Sequence, residues 1–188
     1  MARKYVLGRV VPAGVLAAAA VVVGVAPARQ AHADTDTASV TANVVVGTGI
    51  TIVGVTPASF TLTGVPGQVV NTDATAGVVA TVYTNVAAGY TLAVGPATAG
   101  DDTLDPAGAS PNTIPITALT VKGALGSTPG AGPYAPLLVN PGLVTVYTSP
   151  GASAAAGDAV RTDFQITIPA VAPDTYTATL SYVATTAP

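Results

Sequence analysis

The stretch from Thr175 to Val183 constrains the fold more than any other part of the chain. Tyr176, Ala178, Leu180 and Tyr182 are apolar or aromatic, while Thr175, Thr177, Thr179 and Ser181 between them carry small hydroxyls. A repeat of two belongs to a β-strand with one buried and one wet face, because successive side chains of an extended chain point to opposite sides. Pro173 and Asp174 supply the turn that launches it. A terminal strand this regular is expected to close a sheet from inside.

The remainder reads in the same way. Val40–Val46 and Ile50–Val55 are expected to pair as a hairpin around Gly47-Thr48-Gly49. Short strands follow at Ser59–Thr63 and Gln68–Asn71. Val78–Asn85 is apolar on both faces, which predicts a central position. Tyr90–Val94, Ile116–Lys122, Leu143–Thr148 and Asp163–Ile168 complete the set, with loops expected over 95–115, 123–136 and Ala152–Gly157. No segment repeats apolar residues at helical spacing. About nine or ten short strands with regular turn signals predict an all-β fold, an antiparallel β-sandwich of immunoglobulin-like or jelly-roll-like type or a related barrel.

The first 33 residues carry a different signal. Arg3, Lys4 and Arg9 precede an apolar run from Val10 to Val25, and Ala31-His32-Ala33 has the small-x-small pattern of a signal-peptidase site. Residues 1–33 are therefore expected to be an export signal cut after Ala33, leaving 34–188 as a single β-sandwich domain that is secreted or held at the cell surface. Within 34–188 the cations are Lys122 and Arg161, set against nine aspartates, so the net charge is −7. That balance offers no footprint for nucleic acid and disfavours anionic membranes. The same residues lack His, Cys, Met, Trp and Glu, which removes the usual general bases and soft metal ligands. The expectation is a non-catalytic protein without an organic cofactor, and no C-terminal apolar tail or lipobox suggests a membrane anchor.

Four groups of residues remain as candidates. Asp101, Asp102 and Asp105 form one local carboxylate cluster, and hard oxygens at close spacing suit Ca2+; a solvated acidic loop is the preferred alternative. Lys122 is read as a solvent-exposed lysine, with an isopeptide bond to Asn140 or Asn85 as the sharper option. Tyr83, Tyr90, Tyr147, Tyr176 and Tyr182 are read as core or rim filler, with a carbohydrate-stacking face as the alternative. Residues 34–46 either pair within their own domain or act as an arm that adds a strand to a neighbouring copy.

Two of these segments resemble a known family. Gly89-Tyr90-Thr91-Leu92 and the closing Tyr176-Thr177-Ala178-Thr179-Leu180-Ser181-Tyr182-Val183 look like the two signature regions of WxL-domain surface proteins of Gram-positive bacteria. Tyr90 and Tyr182 stand where that family carries Trp, Leu92 is retained, and Ala184 replaces the second Leu. The resemblance implies a β-sandwich surface protein associated non-covalently with the cell-wall polymer or other surface proteins, and it assigns Tyr90, Leu92 and Tyr182 to the binding of that envelope ligand. A self-assembling extracellular fibre subunit and a carbohydrate-binding module are the competing readings.

Overall fold

Alternating Val, Thr, Tyr and Ile, punctuated by Gly and Pro, drive the chain into extended segments joined by tight turns. The computed structural model describes residues 43–188 except Ala76; the leader, with Ala31 and Ala33, lies outside the described residues. Twelve strands form: β1 (Ile50–Thr56), β2 (Val69–Asn71), β3 (Val78–Thr84), β4 (Tyr90–Pro96), β5 (Thr103–Pro106), β6 (Ile114–Pro115), β7 (Leu119–Leu125), β8 (Ala135–Pro136), β9 (Val144–Ser149), β10 (Asp158–Thr167), β11 (Tyr176–Thr177) and β12 (Leu180–Thr186). A 3-10 turn at Ile116–Ala118 precedes β7, and every strand pair is antiparallel.

The larger sheet runs β1-β3-β10-β7-β8, with β2 taking the place of β3 beside the C-terminal half of β10. The second sheet is β12-β4-β9, and a small third sheet is β11-β5-β6. Between the two main sheets lies the core of an antiparallel β-sandwich. Val78, Ala80 and Val82 of β3, Val160, Phe164 and Ile166 of β10, and Leu119 and Val121 of β7 form one wall. Tyr90, Leu92 and Val94 of β4 form the other. The central placement expected of Val78–Asn85 is found, because β3 is flanked by β1 and β10.

Three local expectations are corrected. The regular stretch at the C-terminus is not one strand: β11 pairs with β5, and β12 pairs with β4. The change of sheet falls at Ala178–Thr179, where Ala97 N donates to Thr179 O at 2.9 Å, and sheet-switching of this kind is how strands turn the corners of a sandwich. Moreover β12 sits at an edge instead of closing a sheet from inside. The hairpin over Val40–Val46 and Ile50–Val55 does not form across its described part. Residues 43–49 carry neither strand nor turn, and β1 pairs with β3 instead. The cause is Asn85, whose side chain accepts from Gly49 N at 2.9 Å and donates to Gly47 O at 2.8 Å, holding the approach to β1 straight. Residues 40–42 lie outside the described ones. Finally, Ser59–Thr63 is not a strand, although Phe60 and Leu62 both pack on the core as their alternation suggests.

Candidate functional site

A cleft of about 1090 Å³ lies against the inner face of the larger sheet, reaching from Ile52 and Val55 of β1 to Leu180 and Tyr182 of β12. Its floor is the inner face of the larger sheet at Val78, Leu119, Phe164 and Ile166. One wall is the segment 57–66, which crosses beneath the sheet edge with Phe60 stacked on Phe164 at a centroid distance of 4.3 Å. The other wall is the apolar side of the C-terminal stretch: Tyr176, Ala178, Leu180 and Tyr182. The period-two pattern shows in burial: these four side chains are half-buried, whereas Thr175, Thr177 and Thr179, which also border the cleft, are exposed. Among the described residues β1 pairs with β3 alone and β12 with β4 alone, and the two strands lie close to each other.

Ser59, Thr61, Thr63, Asp174 and the threonines of the C-terminal stretch bring polar groups to the cleft border. The Tyr182 hydroxyl and Thr162 Oγ1 are buried without a hydrogen-bond partner among the described residues. Burial is the main reason the Tyr182 phenol is pushed up to about 12, while Thr162 bears on it in the direction that lowers its value. Leaving a buried hydroxyl unpaired costs about 1–3 kcal/mol, so this wall is stabilised by anything that supplies a partner.

The residues assigned by resemblance fall in two places. Tyr90 and Leu92 are fully buried on β4, where an external polymer does not reach them. Tyr90 donates its hydroxyl to Asp158 Oδ2 at 2.9 Å and tilts against Tyr147 at 5.9 Å. Tyr182 lies on the cleft wall. The five tyrosines do not share one exposed face: Tyr176 bonds Ala172 O and Ser110, and Tyr83 alone among them presents an exposed ring. Asp101, Asp102 and Asp105 do not converge, and no group of three carboxylates suited to a metal ion occurs among the described residues. Asp105 instead accepts from Thr103 Oγ1 at 2.7 Å.

Lys122 corrects the sequence reading most sharply. Its side chain is only 10% exposed, its ammonium bonds Asp73 Oδ2 at 2.9 Å, and it lies 4.4 Å from the centre of the Tyr134 ring. Neither Asn85, which holds the 47–49 segment, nor Asn140, which donates to Pro96 O at 3.2 Å, is its partner. The reason is register: Lys122 of β7 lies opposite Asp163 of β10 on the outer face of the larger sheet, and the loop 72–75 folds over both. Arg161, two residues before Asp163 on that face, donates Nη2 to Asp163 Oδ1 at 2.8 Å and to the carbonyls of Thr72, Asp73 and Thr75. Its Nη1 reaches Ser127 O at 2.8 Å. Thr72 closes the loop, accepting from Phe164 N at 3.0 Å and donating to Asp163. Both cations of residues 34–188 thus sit in one cluster with Asp73, Asp163 and Tyr134. Burial would raise the Asp73 carboxyl, but hydrogen bonds from Tyr134 and Lys122 and the charges of Lys122 and Arg161 hold it below its usual value. The sequence signal that could have located this cluster is Arg161-Thr162-Asp163, two opposite charges at strand spacing inside an apolar strand.

No family model, curated protein or solved structure matches this chain. Among the described residues no helix is long and apolar enough to cross a membrane. The carboxylates Asp73, Asp158, Asp163 and Asp174 are each engaged in bonds that hold loops or turns. What the arrangement offers chemically is an apolar slot bordered by backbone donors and acceptors.

Proposed function

We propose that the protein is an exported, non-catalytic structural or adhesion protein of the cell surface or extracellular space, and that it works by accepting an extended polypeptide in the cleft between the 57–66 segment and the C-terminal stretch. One observation carries this reading: a largely apolar cleft of about 1090 Å³ opens between the 57–66 segment and the C-terminal stretch, next to strand β12, which has one paired neighbour among the described residues. An added strand gains main-chain hydrogen bonds from an edge and buries alternate side chains in the slot, which is the physics of strand addition. Hydroxyls of Ser59, Thr61, Thr63 and the C-terminal threonines also line the walls, but aliphatic and aromatic side chains outnumber them, which favours an alternating apolar strand over a sugar. The likeness to WxL-domain proteins and the leader-like residues 1–33 support placement at the envelope. With Tyr90 and Leu92 inside, contact with a wall polymer is assigned to other surfaces.

The test has two arms. Fractionation of cells expressing the full chain should find it in the wall or the medium; retention in the cytoplasm would end the surface reading. Purified residues 34–188 should bind labelled peptides that alternate Val and Thr, measured by fluorescence polarisation, and ignore peptides of the same composition with the alternation scrambled. Equal binding of both, or of neither, would end the docking reading.

A further inference from the structure

Building on that docking reading, we infer that the occupant of the cleft is residues 38–46 of a second copy, so that copies join head to tail. The donor's pattern is the first argument. Ala38, Val40, Ala42, Val44 and Val46 alternate with Ser39, Thr41, Asn43 and Val45, nearly repeating the apolar-and-hydroxyl alternation of the stretch that lines the cleft. Its described end is exposed: Val44, Val45 and Val46 are 86%, 95% and 77% accessible and belong to no strand. Three consecutive valines in water, next to a domain with an apolar slot, form a complementary pair of surfaces.

Geometry then decides between one chain and two. To fill its own cleft the segment has to reverse at Gly47–Gly49 and run back along β1. Asn85 bonds both Gly47 O and Gly49 N, and residues 43–49 hold no turn, so reversal breaks both bonds. The cleft follows β1 from Ile52 to Val55, and a segment that precedes β1 can run alongside it within one molecule only by reversing at Gly47–Gly49. A contact between two different surfaces that does not close on itself builds an open filament. Nine residues at 3.3–3.4 Å each reach about 30 Å, more than the length of seven-residue β1.

The inference is tested with residues 34–188, the same chain carrying Val44→Asp and Val46→Asp, and the chain lacking 34–46. These changes fall on exposed positions, and circular dichroism checks that all three proteins keep the fold. Light scattering after size-exclusion chromatography should show concentration-dependent polymers for the first protein and monomers for the other two. A synthetic peptide of residues 37–47 should bind the armless chain at least about tenfold more tightly than its scrambled version, one factor of ten in the dissociation constant, and should shorten filaments seen by electron microscopy. Polymers that persist without the arm overturn the inference, as does a strictly monomeric 34–188. An armless chain that binds other alternating peptides but not 37–47 overturns self-assembly alone; one that binds none overturns the docking reading as well.

Discussion

Arg161 shows how this domain handles charge. It is nearly buried, yet each of its three guanidinium nitrogens is bonded, to Asp163 or to loop carbonyls. Truncating one member of such a pair leaves the other charge buried and unpaired, which costs about 3–5 kcal/mol. Arg161→Ala should therefore lower the urea midpoint by a large fraction of the total stability and free the 72–75 loop to proteolysis; an unchanged midpoint would show that the pair is dispensable. The phenols carry a pH signature. Tyr90, Tyr134 and Tyr182 are all raised above 10, burial being the largest cause in each. The unfolded chain releases these protons near pH 10 while the folded chain retains them, so the native state binds more protons and stability falls as pH rises. Unfolding titrations between pH 9 and 12 should show that fall, with a shallower slope for Tyr182→Phe. A flat profile would mean that the three hydroxyls are solvated. At the acid end Asp73 works with the opposite sign: its depressed value adds stability above the usual carboxylate range, lost as pH drops through the folded value.

Among the elements, β7 and β9 meet across the sandwich at one point. Gly123 is the neighbour of Thr162 on β10, and a Cβ placed there would lie 2.8 Å from Val146 Cβ and closer still to Val146 O. The two sheets pack this tightly only because that position has no side chain. Gly123→Ala should cost about 1–3 kcal/mol through overpacking, measured by thermal unfolding, whereas Gly132→Ala, with open space around it, should change little. These elements also show what could be read in advance. Alternation identified β4 and the C-terminal stretch, because a strand with one dry face must alternate, and apolar residues on both faces identified the central β3. It did not reveal that the stretch breaks at Ala178–Thr179, since both halves keep the same face inward and only the partner changes. Nor did it show that residues 43–46 lack β1 as a partner. That outcome depends on Asn85, about forty residues away in sequence, and local pattern contains no long-range competition. Lys122 was misplaced for a related reason: a lone lysine in a strand is usually wet, and only the register with Asp163 and the overlying loop buries it.

The molecule as a whole balances an apolar docking surface against its charge. Residues 34–188 carry a net charge of −7, and both cations are locked in the cluster on the outer face. Bringing two copies together therefore meets repulsion between like-charged bodies, and the exposed carboxylates Asp102 and Asp105 have no cationic partner among the described residues. An attraction built from apolar side chains and backbone hydrogen bonds is short-ranged and almost indifferent to salt, whereas the repulsion is screened within about 8–10 Å at physiological ionic strength. Head-to-tail assembly should thus strengthen as NaCl rises from low to physiological concentration, and strengthen again when the pH is lowered toward the aspartate range. Light scattering across a salt series checks this directly. An association that weakens with salt would mean that charge pairs hold the copies together, which an arm of Ala, Val, Ser, Thr and Asn cannot supply. The contact would then have to be sought away from the cleft.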